Sequence, residues 1–353
     1  MRDKSTFITV KLGAIRRNVE KIVSTYSDYQ YRIAVVKSDS YGHKGNEVVR
    51  RMIEGGANYI AVSFIGEALR IREKFKDIPV MLLVPPPVEL IETCVEHDIE
   101  VTVRDIDYLQ AIADKNVKVH LRMDGGCDLY NGPRDKESFR QFIDVIDRGA
   151  CTLQGLYIHN YFVEDEVLSN AEFAAFEAMT EGFDLASVPV VSTHNSMALV
   201  EYEKKPYSNA FRMGNVMYGI ENTSLELEDT FQLYCDVLSI KHLAAGQSVG
   251  YSKCYEAKGE EAYIAMLPIG YGDGFAKSNI GRDIFIAEKR FKIVGVTMDI
   301  TLVKVDETVG VGDRCTLIQS ARHLDEIAEH IHTIAEEELC LLNTRIERMY
   351  LED

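Results

Sequence analysis

The chain has 353 residues, 46% of them hydrophobic and 27% charged, enough for a large core and two domains. Its 39 basic and 56 acidic residues leave a net charge of −17, which argues against nucleic acid or an anionic membrane as partner, since both reward basic surfaces. Seven cysteines without a CxxC pair speak against a disulfide framework or zinc ribbon and for reduced thiols in the cytoplasm.

The opening residues, MRDKSTFITVKLGAIRRNVE, hold no apolar signal-peptide segment. No run approaches the roughly 18 apolar residues of a membrane span. Strand-like runs follow at 33–37 (IAVVK), 60–64 (IAVSF), 80–84 (VMLLV), 101–104 (VTVR), 117–123 (VKVHLRM), 153–159 (LQGLYIH), 188–194 (VPVVSTH) and 209–214 (NAFRMG). Helical patterns lie between them at 45–56, 65–76, 88–97, 137–149 and 171–183. Apolar strands alternating with helices imply a parallel sheet covered on its outer face. Eight such units predict an α/β fold, a (β/α)8 barrel of the TIM type, over residues 1–225. An open doubly wound sheet is the competing layout, because counting does not show closure. From 226 to 353 the runs are β-like and divided by Gly/Asp turns, with one helical stretch at 323–339. That predicts a mostly β C-terminal domain, with which about the first ten residues are free to pair.

Barrel enzymes build their sites at the C-terminal ends of the strands. Here those ends carry Lys37, Arg122 with Asp124, His159, His194-Asn195-Ser196, and Arg212 running into Gly214-Asn215. One polar strand end is routine; five together predict an active site. A neutral lysine forms a Schiff base with a carbonyl cofactor; a rim lysine in water is the plain alternative. THNS (193–196) and RMGN (212–215) follow the seventh and eighth strands, where barrels often bind phosphate. Asn195 or Ser196 equally suits the cap of a helix SMALVEY. Arg212 has five donors and no acceptor. Against a pyridine nitrogen it would donate and leave that nitrogen unprotonated; an outward salt-bridging arginine is the other reading. His159 reads as a core histidine or as a ring packed on a cofactor. In the β region Tyr251, Tyr271 and Met298-Asp299 stand out in glycine-rich or otherwise apolar stretches, with partners that spacing does not reveal. There is no GxGxxG after a strand, no GxxxxGKS/T, no HExxH and no GxSxG, and no metal site is expected.

Assembled, these residues resemble the alanine racemase family of fold-type III pyridoxal 5'-phosphate (PLP) enzymes, over nearly the whole chain. AVVKSDSYGHK (34–44) is similar to that family's cofactor-lysine signature, AVVKANAYGHG. GLYIHNYFVEDE, STHNS, FRMGNVMYGI, SVGYSKCY, LPIGYGDGF and VTMDITLV occur in the family's order. The resemblance implies that Lys37 carries PLP and is one catalytic base. Tyr251 would be the other, reaching in from the second subunit of a homodimer. Arg212 would face the pyridine nitrogen, and Tyr41, Ser196, Gly214 and Asn215 would hold the phosphate. His159 would sit by the cofactor ring and hydrogen-bond toward Arg212. Met298 would offer its backbone N–H to the substrate carboxylate, with Tyr271 at the entrance and Asp299 nearby. The implied reaction is interconversion of L- and D-alanine, or of a related small amino acid such as serine.

Residues 120–132, HLRMDGGCDLYNG, depart from the family's HLKxDTGMxRxG. Arg122 replaces a lysine that is often carbamylated, and an arginine cannot form that carbamate. The family's conserved arginine, which contacts the cofactor's phenolic oxygen and the substrate carboxylate, aligns with Leu129. Arg122, Asn131 and Arg134 are the residues at hand to fill the gap. Asn343 or Thr344 stands where a tyrosine often lies near the phosphate. The rival functions are an amino-acid decarboxylase or D-amino-acid aldolase on the same scaffold, or a non-catalytic PLP-binding protein. The decarboxylases' HxGS element and the aldolases' His/Cys metal pair are not found.

Overall fold

A computed structural model describes residues 5–220 and 223–352. Strand β1 (Phe7–Lys11) precedes eight strands, β2 (Tyr31–Val35), β3 (Tyr59–Val62), β4 (Val80–Leu82), β5 (Ile99–Val103), β6 (Lys118–Arg122), β7 (Thr152–Tyr157), β8 (Val190–His194) and β9 (Ala210–Met213). They pair in parallel and in order, and β9 pairs back with β2. The barrel is therefore closed, and the open-sheet layout is set aside.

Side chains from neighbouring and next-but-one strands meet inside this barrel. Tyr59 on β3 bonds Glu100 on β5, and Glu100 Oε2 lies 2.6 Å from His120 Nε2 on β6. His120 thus faces inward, and Arg122, two residues on, shares its face. Gly155 on β7 is a glycine because a Cβ there would press on the His120 ring.

Helices cover the outside, and their ends follow capping rather than apolar periodicity. The pattern expected at 171–183 is a helix Glu166–Met179, begun early because Asp165 accepts from the Val167 and Leu168 N–H groups. The stretch expected at 323–339 is two helices, Ala321–Ile331 and Ala335–Leu341. His332 stands between them in the left-handed region (φ 60°), and Thr333 N–H returns to Ala328 O at 2.9 Å, which closes the first helix.

The second domain contains β10 (Phe231–Asp236), β11 (Ser239–Leu243), a small hairpin β12 (Ser248–Val249) and β13 (Tyr255–Glu256), β14 (Ala262–Leu267), β15 (Asp283–Ile286), β16 (Lys289–Val296), β17 (Thr301–Val305), β18 (Arg314–Ile318) and β19 (Glu347–Leu351). Nine strands form one sheet in the order β11-β14-β17-β16-β15-β18-β10-β1-β19. The N-terminal strand β1 lies in it between β10 and β19.

Candidate active site

The apolar run 33–37 stops being strand at Val35, and Lys37 opens a turn of unusual hand. Ser38, Asp39, Ser40 and Tyr41 have φ of 52, 53, 58 and 51°, and Gly42 closes the turn at 79°. Left-handed backbone costs each non-glycine residue about 1–2 kcal/mol, so neighbouring structure must hold it. Arg348 on β19 does so: its Nε donates to Gly42 O at 3.1 Å and its other nitrogens to Leu342, Asn343 and Ile346 carbonyls. A Cβ on Gly42 would strike the carbonyl of Leu339. His43 is anchored on Thr230 Oγ1 at 2.8 Å and stacks on Tyr218; burial pushes its pKa down to about 4, which keeps the ring neutral. The turn sets Lys37 Nζ 5.8 Å from the centroid of the Tyr41 ring.

Across the mouth, Asn195 caps the helix Ser196–Glu201 by accepting from Ala198 N–H at 3.0 Å. That leaves Ser196 for another task. Its Oγ accepts from Gly214 N–H at 2.7 Å, and a Cβ on Gly214 would sit 3.0 Å from the Tyr41 hydroxyl. Tyr41, Ser196 and Gly214 therefore form one small cradle of hydroxyl and backbone donors. The Asn215 amide points elsewhere, to Glu336 Oε1 at 2.5 Å on the C-terminal domain.

Arg212 on β9 is buried and donates from Nη1 to Ser192 O (2.9 Å) and Oγ (2.8 Å) and from Nη2 to Ile158 O (2.7 Å). Its Nε has no hydrogen-bond partner among the described residues. Burial lowers its pKa to about 10, so it stays cationic at neutral pH. His159 makes no hydrogen bond to Arg212 among the described residues, contrary to expectation; the terminal nitrogens of that arginine are directed to Ser192 and Ile158. The imidazole, open at the mouth, instead meets Tyr161 edge-on at 4.9 Å. Desolvation by the surrounding protein, with Arg212, Arg122 and Lys37 adding to it, pushes its pKa down to about 3. Three cations thus converge on a neutral ring.

Arg122 ends β6 with Nε 2.6 Å from Asp128 Oδ2 and Nη2 2.5 Å from the Tyr161 hydroxyl. Leu129, Asn131 and Arg134 are exposed in the loop beyond. Tyr161 was not singled out from sequence; its one signal was an aromatic two residues past a strand-end histidine.

The expected residues of the second domain do not join this group within the chain. Tyr251 is 83% exposed, Met298 54% and Tyr271 45%. Tyr251 sits in a turn with Gly250 at φ 79° and Ser252 at 51°. Tyr271 N–H donates to Thr297 O at 3.0 Å, which ties it to the Met298 turn. Asp299 pairs with Arg345 of its own chain at 2.6 Å, which engages its carboxylate. Among the described residues, no metal-binding group of His, Cys, Asp and Glu is found, and no helix is long and apolar enough to cross a membrane.

The mouth offers an amine at Lys37, a small donor cradle at Ser196–Gly214–Tyr41, and donating guanidinium edges. It suits a small phosphorylated carbonyl compound with an anionic partner. Residues 10–222 match the family model "Alanine racemase, N-terminal domain" and 230–350 the model "Alanine racemase, C-terminal domain". An alanine racemase of Halalkalibacterium halodurans is 30% identical, covering 99% of this chain and 96% of its own. A crystal structure of alanine racemase from E. faecalis superposes with TM-score 0.91 at 26% identity, over 99% of this chain and 98% of that one. A histidine racemase from Leuconostoc mesenteroides subsp. sake shares the fold, with TM-score 0.89 at 21% identity over 99% of both chains.

Proposed function

The chain belongs to the alanine racemase family, and we propose that it is an amino-acid racemase working as a homodimer with PLP on Lys37, on alanine or a small relative such as serine. The observation that carries this is the cradle at the barrel mouth. Ser196 Oγ, Gly214 N–H and the Tyr41 hydroxyl close around a space that a single Cβ would fill, on the rim that also bears Lys37. That donor set fits a phosphate, and the Arg212 Nε fits a pyridine nitrogen, to which it can only donate.

PLP, when bound, withdraws electrons from the bonds at the amino acid's α-carbon. The chain's own residues move the proton. Racemisation needs a base on one face of the α-carbon and an acid on the other, with the roles exchanged in reverse. The Lys37 amine serves one face. The Tyr251 phenol, 83% exposed on its own subunit, serves the other from the partner subunit, and the Met298 N–H follows it across the interface. Arg212, which can only donate, would leave a pyridine nitrogen held against its Nε unprotonated, which would restrain side reactions. His159, kept neutral by desolvation with nearby cations adding to it, would add no further charge beside the ring.

The test is direct. The purified protein should show an absorbance band that borohydride bleaches, with the label on Lys37. Single enantiomers in deuterated water should then exchange the α-proton and lose optical activity. Absence of the band would refute the PLP assignment, a band without exchange would indicate a carrier, and release of carbon dioxide or an aldehyde would indicate a different enzyme.

A further inference from the structure

We propose that Asp128 and Tyr161 are positioning residues that hold the Arg122 guanidinium with one edge free at the barrel mouth, and that this edge receives the substrate carboxylate. The inference rests on the racemase reading above. Of the three residues able to replace an arginine at 129, Asn131 and Arg134 are exposed in the loop, and Leu129 itself is 77% exposed. Arg122 alone sits on an inward strand position among the groups that surround His159.

The guanidinium is held from two sides. Its Nε–H is spent on Asp128, whose side chain is 2% exposed. Asp128 is fixed in turn: its N–H donates to Asp124 Oδ1 at 3.2 Å, and its Oδ1 accepts from Tyr130 N–H at 3.0 Å. One Nη2–H goes to the Tyr161 hydroxyl. Tyr161 is held by its backbone N–H on Glu172 Oε1 at 3.0 Å and by the edge of the His159 ring. Nη1 has no hydrogen-bond partner among the described residues. An arginine has five N–H donors; two are used here, so three remain along the Nη1/Nη2 edge. A planar pair of donors of that kind matches a carboxylate in bidentate fashion, which a lysine does not. The hydroxyl of Tyr161 accepts from Arg122 and so keeps its own proton to donate. Asp128 neutralises Arg122, which lets a buried arginine stand close to Arg212 and Lys37.

The experiment uses the holoprotein and three variants, Arg122→Lys, Asp128→Asn and Tyr161→Phe. Propionate is the carboxylate probe, and its binding is measured by calorimetry. L-alanine and L-alaninamide are compared in α-proton exchange. Loss of a direct charge-assisted contact in Arg122→Lys should weaken propionate and raise KM for alanine about tenfold to a hundredfold. Tyr161→Phe and Asp128→Asn should do so by about fivefold, with kcat nearly unchanged. Alaninamide, which lacks the carboxylate, should be insensitive, and the borohydride-bleachable band should persist in all three. Propionate affinity unmoved in Arg122→Lys, or equal losses for alanine and its amide in Tyr161→Phe, would overturn the proposal. Calorimetry does not need the cofactor band: a band-free wild type that still binds propionate through Arg122 would sink the racemase reading and leave the anion site standing.

Discussion

Glu338 lies on the helix Ala335–Leu341, which packs against the turn after Lys37, and it is fully buried. Neither carboxylate oxygen has a hydrogen-bond partner among the described residues. The nearby cation, Arg282, spends Nε on Asn279 and Nη1 on Leu317 O, and its Nη2 is equally unpartnered. Burial outweighs that cation and pushes the Glu338 pKa up to about 7, from an ordinary 4.5, with Glu337 adding to the rise. The folded state therefore binds this proton more tightly than the unfolded state. The stabilisation is fully present below about pH 4.5 and is lost as pH rises through about 7. At about 1.4 kcal/mol per pH unit, the interval corresponds to roughly 3 kcal/mol. Glu338→Gln removes the titration. Melting temperatures of both proteins at about pH 5 and about pH 8.5 should show the wild type losing several degrees more than the variant across that interval. Identical pH dependence in the two proteins would refute the reasoning.

Gly42→Ala must place a Cβ against the Leu339 carbonyl at a φ of 79°; it should cost roughly 3 kcal/mol or more, read as a lowered melting temperature and a loosened Lys37 segment. Ser196→Ala removes the acceptor of Gly214 N–H and should weaken PLP about fivefold to tenfold in a spectral titration, while the Asn195 cap keeps the helix and the melting temperature in place. Tyr251→Phe should impair proton transfer in one direction far more than PLP binding, measured as exchange from each enantiomer; equal loss of both would count against its assigned role.

The barrel was legible because buried parallel strands must be apolar throughout, so each polar strand end marked the mouth. Helix ends were less legible, since one aspartate at 165 and one left-handed histidine at 332 decide them. The turn after Lys37 was not legible at all. Ser, Asp, Ser and Tyr do not advertise four successive positive φ values, and the turn's end at Gly42 is held by Arg348 and hemmed in by the Leu339 carbonyl, about 300 residues away in sequence. Arg122 was visible as a residue type, but its orientation depends on Asp128 and on a tyrosine one strand further along.

The buried arginines differ in how far the protein itself answers their donors. Arg72 is also buried without an acid partner, yet it donates to five backbone carbonyls, those of Phe75, Lys76, Ile78, His97 and Asp98. It is a staple, with every guanidinium nitrogen bonded to a backbone carbonyl. Arg212 bonds only neutral acceptors on Ser192 and Ile158 and keeps Nε free of protein partners, while Arg122 keeps Nη1. Burying a cation in a barrel core is costly unless its donors are answered. Asp128 answers the charge of Arg122 but not its Nη1 donors, and under the proposed function the open donors of Arg122 and Arg212, beside Lys37 and a neutral His159, are the ones that meet the ligand.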